Sequence, residues 1–122
     1  MAGKILIVDD EPDMVEWLAT FFQDHGYETV SARDGIEGME KLESEKPDLI
    51  TLDITMDKET GIKMYRKLCQ AESTIPVIMV TGISADLSTF LGRYKDTHES
   101  AGFFEKPVDR DALLAKVKEL IG

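Results

Sequence analysis

The 122-residue sequence predicts an α/β fold in which a five-stranded parallel sheet, in the doubly wound order 2-1-3-4-5, is flanked by five helices. Short apolar runs alternate with helical patterns along the chain, and the runs start about 20 to 30 residues apart, which is typical of βαβ units. No repeat and no Pro-, Gly- or Ser-rich linker divides the sequence. We therefore expect residues 1–122 to form one domain of ordinary size.

Five runs are predicted as strands, at residues 4–8, 27–31, 48–52, 75–80 and 102–105. The first, third and fourth runs are apolar on consecutive residues, as expected for strands that are covered on both faces. The predicted order is the flavodoxin-like one, in which ligands bind at the carboxyl ends of the strands, near the switch point between strands 1 and 3. The second run is expected at an edge of the sheet.

Helices are predicted between the runs from apolar side chains at helical spacing. Pro12 and Gly26 mark the start and the end of the first helix, and Asp109 is a suitable N-cap for the last. The polar stretch 84–100 predicts a short fourth helix. The apolar positions of the other four helices are Met14, Leu18, Phe21 and Phe22; Ile36, Met39 and Leu42; Ile62, Tyr65, Leu68 and Cys69; and Leu113, Leu114, Val117, Leu120 and Ile121.

The composition excludes several classes of protein. With 14 Lys and Arg against 24 Asp and Glu, the net charge is −10, which disfavours binding to nucleic acid or to anionic lipid. The longest apolar runs are far shorter than the roughly 20 residues that cross a bilayer, and no signal-like segment is present, so we expect a cytoplasmic protein. A single cysteine, Cys69, excludes an internal disulfide and a cysteine metal cluster.

Polar side chains follow four of the five predicted strands. Asp9 and Asp10 come after the first strand, Asp53 after the third, Thr81 ends the fourth, and Lys106 follows the fifth. The carboxyl ends of parallel strands lie at one edge of the sheet, so three carboxylates, a hydroxyl and an ammonium group are expected to meet there.

Such a cluster suits phosphoryl transfer to a carboxylate. Two carboxylates about 4 Å apart repel by roughly 4 kcal/mol at an effective dielectric constant near 20, so three of them need a cation or protonation. Hard oxygen ligands favour Mg²⁺ or Ca²⁺, and a site with room for water and a phosphoryl oxygen favours Mg²⁺. An aspartate is a competent nucleophile, and positive charge stabilises the transferring group.

Taken together, these motifs resemble a response-regulator receiver domain of two-component signalling over essentially the whole chain. Each is weak alone, but their order and spacing together are specific. They are Val8-Asp9-Asp10-Glu11, the strand from Pro47 to Asp53, Met56 and Gly61, Thr81-Gly82, and the segment from Gly102 to Pro107.

The resemblance implies that Asp53 is the phospho-acceptor. It also implies that Asp9, Asp10 and Asp53 hold Mg²⁺ together with the main-chain carbonyl group of Thr55. We accordingly expect magnesium to be the cofactor, and the chain to catalyse only its own phosphorylation and slow dephosphorylation rather than to act as an enzyme on other substrates.

The resemblance also assigns the remaining polar residues at the sheet edge. Thr81 and Lys106 are similar to residues that contact the phosphoryl group, and the Lys106–Pro107 peptide bond is commonly cis in this family. Phe103 occupies the position of an aromatic switch residue whose ring turns inward when Thr81 moves toward the phosphate.

Three features depart from the family pattern. Asp57 stands where Pro usually follows Met56, which removes a constraint on φ and adds a negative charge. The segment from Thr81 to Lys106 is slightly longer and less apolar than usual. Phe103 lacks the hydroxyl group of a tyrosine, so its ring can be buried without an unsatisfied polar atom.

The implied partners are a sensor histidine kinase or a histidine phosphotransfer protein as phosphoryl donor, and a downstream protein or fused output domain as receiver of the signal. The fourth helix, fifth strand and fifth helix are expected to form the output surface, and a homodimer could use the same face. No direct contact with nucleic acid or membrane is expected.

Three alternatives remain at this point. A Mg²⁺-dependent phosphohydrolase would commonly have a second Asp two residues after the nucleophile, where this chain has Thr55. A flavin-binding electron carrier would need a Ser-, Thr- or Gly-rich phosphate loop after the first strand, where this chain has acids. The third is an interaction module that works without phosphorylation.

Overall fold

The computed structural model describes residues 3–53, 64, 67–68, 75–81, 102–105 and 109–122, with residues 81 and 102–105 described by their backbone alone. Five strands and three complete helices lie in these ranges. In chain order they are β1 (Lys4–Val8), α1 (Pro12–Asp24), β2 (Glu28–Ala32), α2 (Gly35–Glu45), β3 (Leu49–Leu52), β4 (Val77–Thr81), β5 (Gly102–Glu105) and α3 (Arg110–Ile121).

The strands form one parallel sheet in the order β2-β1-β3-β4-β5, as the sequence predicts, with β2 at an edge. The bounds of β1 and β5 match the predicted runs, and β2 begins one residue later than predicted. β4 begins at Val77 rather than at residue 75, because Pro76 has no N–H group to donate to the sheet. The carbonyl oxygen of Pro76 still accepts a hydrogen bond from Ile50 N, at 3.0 Å.

The inner strands β1, β3 and β4 are buried on both faces over their described side chains, which explains why they are apolar on consecutive residues. Leu6 and Val8 of β1 belong to a cluster that packs on the α2 side. Ile5 and Ile7 alternate with them and belong to a second cluster, which packs beneath α1 and α3. The sheet is therefore the middle layer of a three-layer α/β arrangement, as a doubly wound fold requires.

The helix ends follow the predicted signals. Pro12 occupies the first turn of α1, and Gly26, just beyond its end, has a positive φ of 89°. Asp109 caps α3, since its carboxylate accepts hydrogen bonds from two backbone N–H groups of the first turn. None of the helices in the described ranges is long and apolar enough to cross a membrane.

The third and fourth predicted helices fall mostly outside the described residues. Met64, Lys67 and Leu68 are helical, and Met64 and Leu68 are buried, in agreement with a helix at this position. The predicted helix within 84–100 lies wholly outside, so the count of five helices stays a prediction.

The face that α2 buries differs from the predicted apolar stripe. Ile36, the first residue of that stripe, is 64% exposed, whereas Gly35 and Gly38 are buried. A Cβ atom on Gly38 would lie 2.7 Å from Met64 Sδ and 3.3 Å from Val8 Cγ2, so a glycine allows this close approach. The helix therefore packs through its glycines, together with Met39 and Leu42, and this turns Ile36 toward solvent.

Candidate functional site

The carboxyl ends of β1 and β3 lie side by side at the centre of the sheet, where Val8 is the Cα partner of Leu52. Backbone hydrogen bonds continue one residue beyond both strands. Asp53 N donates to Val8 O at 3.0 Å, and Asp9 N donates to the carbonyl oxygen of Ala32 at 3.1 Å. The main chain of both aspartates is therefore fixed by the sheet itself.

Three predicted site residues come together at this edge. Asp9, Asp10 and Asp53 each offer a carboxylate oxygen, and these three atoms all lie within 4.8 Å of one another. The side chains are not equivalent, because Asp9 and Asp53 are 2% exposed while Asp10 is exposed. Two buried acids and one solvent-facing acid thus line one small volume.

Asp9 also fixes the start of the following helix. Its Oδ1 atom accepts a hydrogen bond from the N–H group of Glu11, at 3.0 Å, just before α1 begins at Pro12. This hydrogen bond, from the N–H group of residue i+2 to the carboxylate of residue i, forms an Asx turn, which is a motif that Asp favours. The side chain of Asp9 is therefore held in a defined orientation from the α1 side of the site.

The electrostatics of the cluster favour a divalent cation. Two unit negative charges 4.8 Å apart repel by about 3 kcal/mol at an effective dielectric constant of 20, and here three such charges converge. Carboxylate oxygens are hard ligands, which Mg²⁺ and Ca²⁺ prefer, and the exposed Asp10 leaves a side of the cluster open to water. The donor set thus fits the magnesium that the sequence predicts.

The other predicted site residues are described in part or not at all. Thr81 is the last residue of β4 and the Cα partner of Glu105, so its backbone lies at the carboxyl edge of the sheet. Phe103 lies in β5 beside Met79. The side chains of Thr81 and Phe103 lie outside the described part of the chain, as do Thr55, Asp57, Lys106 and Pro107 entirely, and their roles stay predictions.

The structure adds one buried polar residue that the sequence did not single out. Thr51, in the middle of β3, is 1% exposed. A β-branched threonine is common in strands, so its presence in Leu49–Leu52 is ordinary by propensity alone. The signal that could have identified its burial is a polar residue within a strand predicted to be covered on both faces.

Trp17 lies in α1 and packs against the core cluster beneath α1 and α3. It is half-buried, and its ring stacks on that of Phe21 with 5.7 Å between the ring centroids. The two rings line a surface groove of about 490 Å³ between α1 and α3, with Arg110 on the α3 side. Trp17 is thus a single fluorescent reporter on a helix that starts at the acid cluster.

Comparison with known proteins gives consistent matches. A family model described as "Response regulator receiver domain" matches residues 5–118. The alkaline phosphatase synthesis transcriptional regulatory protein PhoP of Bacillus subtilis is 34% identical over 121 residues, which are 99% of this chain and 49% of PhoP. Protein PilH of Pseudomonas aeruginosa is 31% identical over 121 residues, covering 98% of both chains.

A solved structure agrees. The crystal structure of a CheY-like response regulator receiver domain protein from Methanospirillum hungatei has a TM-score of 0.84 and 30% identity, and the match covers 98% of this chain and 93% of that one. The chain spans about half the length, or less, of the transcriptional regulators that it matches.

Proposed function

The chain belongs to the response-regulator receiver domain family, and from that premise we propose that residues 1–122 form one receiver domain that accepts a phosphoryl group on Asp53. The donor is a phosphohistidine on a sensor histidine kinase or on a histidine phosphotransfer protein. The observation that carries the proposal is a buried Asp53 whose carboxylate lies within 4.8 Å of those of Asp9 and Asp10.

The chemistry is a displacement at phosphorus. A carboxylate oxygen of Asp53 forms the new O–P bond, the N–P bond of the phosphohistidine breaks, and its electron pair stays on the imidazole nitrogen. Because a carboxylate is already a nucleophile, this step needs no general base. The buried position of Asp53 holds its oxygen at the sheet edge and limits the access of competing water.

The carboxylates of Asp9, Asp10 and Asp53, with the main-chain carbonyl group of Thr55, would hold the magnesium ion. When bound, Mg²⁺ supplies the positive charge that offsets the three acids and the negative charge on the phosphoryl oxygens. Thr81 and Lys106 are proposed to contact the phosphoryl group. Thr81 ends β4, and in the sequence Lys106 follows Glu105, the last residue of β5.

Phosphorylation acts as a switch in this proposal. It replaces the single carboxylate charge of Asp53 with a phosphoryl group that carries about −1.5 to −2 charges, and this changes the balance between two conformations of the domain. Thr81 and Phe103 are the proposed coupling residues: Thr81 moves toward the phosphate, and the ring of Phe103 turns inward. The Lys106–Pro107 peptide bond is separately proposed to be cis. The chain turns over only its own phosphoryl group and does not act as an enzyme on other substrates.

The output surface is proposed to consist of the predicted fourth helix, β5 and α3, and a homodimer could form through it. The output partner is a fused domain or a separate protein in the cytoplasm. The named relatives differ in length. PhoP, a transcriptional regulator, is about twice as long as the segment that matches this chain, whereas PilH is about as long as this chain.

The proposal is tested by phosphorylating the purified chain with acetyl phosphate and Mg²⁺ and measuring its intact mass. We expect one phosphoryl group to be added, and the addition to be lost with a chelator or in Asp53→Asn. Asp24→Asn is the matched control, because Asp24 is an exposed aspartate at the far end of α1. Binding of beryllium fluoride, followed by Trp17 fluorescence, should show the same dependence.

Two results would contradict the proposal. One is a wild-type chain whose mass does not change in the presence of Mg²⁺, and the other is an equal change in Asp53→Asn. Steady multiple turnover of phosphate esters would instead indicate a phosphohydrolase that uses the same carboxylate cluster.

A further inference from the structure

The hydroxyl group of Thr51 is buried without a visible hydrogen-bond partner. The residue is 1% exposed, and within the described part of the chain its Oγ1 atom makes no hydrogen bond. Burying a hydroxyl group without a hydrogen-bond partner lowers stability, and a valine of the same shape would avoid that cost. A buried polar atom of this kind in a central strand therefore requires a reason.

The neighbours of Thr51 at its own level in the sheet are apolar. Its Cα partners are Ile7 on β1 and Ile78 on β4. Ile7, Ile78 and Leu49 all belong to the core cluster beneath α1 and α3, and strand alternation places Thr51 on that same face. The flanking strands thus bring aliphatic side chains, and no polar side chain, to this level.

One level closer to the carboxyl edge, the same face becomes polar. Asp53 lies two residues beyond Thr51, and Asp9 lies two residues beyond Ile7, the partner of Thr51 on β1. Because Val8 and Leu52 face the α2 side, both aspartates follow the alternation onto the α1 and α3 side. Thr51 therefore lies one level below Asp53 on its own strand and diagonally below Asp9 on β1.

We propose that Thr51 is a positioning residue for the phospho-acceptor: its hydroxyl group holds one buried water molecule under Asp9 and Asp53, and this water fixes the orientation of the Asp53 carboxylate. The inference rests on the proposed phosphorylation of Asp53. Thr51 does not touch the reacting atoms in this arrangement.

The geometry and the number of polar partners support this water. Two residues along a strand are about 6.6 Å apart at their Cα atoms, and one water with two hydrogen bonds of about 2.8 Å spans up to about 5.6 Å. The remaining ~1 Å is within the reach of an aspartate side chain that leans along the strand. With Thr51, Asp9 and Asp53 the water would have three partners, within the two to four that a stable buried water makes. Each carboxylate has about four acceptor positions, so an additional donor is accommodated beside its other interactions.

The test compares Thr51→Val with Thr51→Ser in the full chain. Valine keeps the shape and removes the hydroxyl group, whereas serine keeps the hydroxyl group. We expect the rate of phosphorylation by acetyl phosphate, at saturating Mg²⁺, to fall about tenfold in Thr51→Val, because small errors of orientation are costly in transfer reactions. Thr51→Ser should stay within about threefold of the wild-type rate.

A second measurement separates positioning from stability. Thermal unfolding is followed in a magnesium-free buffer, where Thr51→Val should unfold within a few degrees of the wild type, because the burial of an additional methyl group offsets the lost hydrogen bond to water. A slower but equally stable valine variant, restored by serine, supports the proposal. The pair Thr51→Ala and Thr51→Ser gives the same hydroxyl comparison if valine prevents folding.

The proposal is overturned if Thr51→Val reacts within twofold of the wild type, or if serine is as slow as valine. It is also overturned if the lower rate merely follows a loss of folded protein. These outcomes leave the phosphorylation of Asp53 intact, whereas a wild-type chain that is not phosphorylated at all overturns both proposals.

Discussion

At the residue scale, the three clustered acids differ in what they contribute to stability. Asp53 and Asp9 are buried together, so their repulsion is weakly screened, while the exposed Asp10 faces water. In magnesium-free buffer we expect Asp53→Asn to raise the free energy of unfolding by about 1 to 3 kcal/mol. Asp10→Asn, the matched control, should change it by less. Urea unfolding with a chelator present measures both variants.

A lower stability of Asp53→Asn would contradict this expectation. It would mean that hydrogen bonds made by the carboxylate outweigh the repulsion from Asp9, and that the folded chain favours a charged acceptor even without a cation. An equal gain in both variants would show that burial does not distinguish the two acids.

The sequence predicts where the three clustered acids lie, but it does not predict which side chains surround Thr51. Asp9, Asp10 and Asp53 could be grouped because each follows a strand, and parallel strands bring such residues to one edge. The enclosure of Thr51 could not be predicted in the same way, since it depends on Ile7 and Ile78, which register places beside it from two other strands.

At the element scale, the first turn of α3 depends on one side chain. Asp109 Oδ1 accepts hydrogen bonds from Asp111 N at 3.0 Å and from Ala112 N at 3.1 Å, as its predicted role of N-cap requires. We expect Asp109→Ala to lower the free energy of unfolding by about 1 kcal/mol, because both N–H groups lose their acceptor. Urea denaturation measures the change.

Asp109→Asn is the control, since its amide oxygen can accept the same bonds and should retain most of the stability. Both variants should still be phosphorylated on Asp53, because the cap lies on α3 and the acids lie at the ends of β1 and β3. An alanine variant as stable as the wild type would show that the exposed first turn is satisfied by water.

The ends of a helix follow from local sequence signals, whereas the face that the helix buries does not. Pro12, Gly26 and Asp109 mark helix ends through backbone chemistry that is contained in a few neighbouring residues. The buried face of α2 depends instead on how closely the helix approaches Val8 and Met64, which only the packed structure determines. Ile36 was therefore assigned to an apolar stripe that the structure does not bury.

At the scale of the whole molecule, the fold class is predictable because burial on both faces constrains the sequence of every inner strand. Inner strands of a doubly wound sheet are covered on both faces, and this requires runs of consecutive apolar residues that are separated by helices. The stretch 84–100 is polar and has little apolar periodicity, so the same reasoning predicts less there. The fold prediction therefore depends on the regular recurrence of apolar runs along the chain rather than on any single motif.

The folded chain brings three acids together that the unfolded chain keeps apart, so magnesium should bind the native state more tightly and stabilise it by mass action. At a free concentration one hundred times the dissociation constant the gain is about 2.7 kcal/mol, which raises the unfolding temperature by several degrees. Differential scanning calorimetry with MgCl₂, and with NaCl at equal ionic strength, measures this rise in the unfolding temperature.

Asp9→Asn and Asp53→Asn should lose most of the magnesium effect, while Asp24→Asn keeps it. Because the net charge is −10, salt alone also screens repulsion, and an equal rise with NaCl would contradict a specific site.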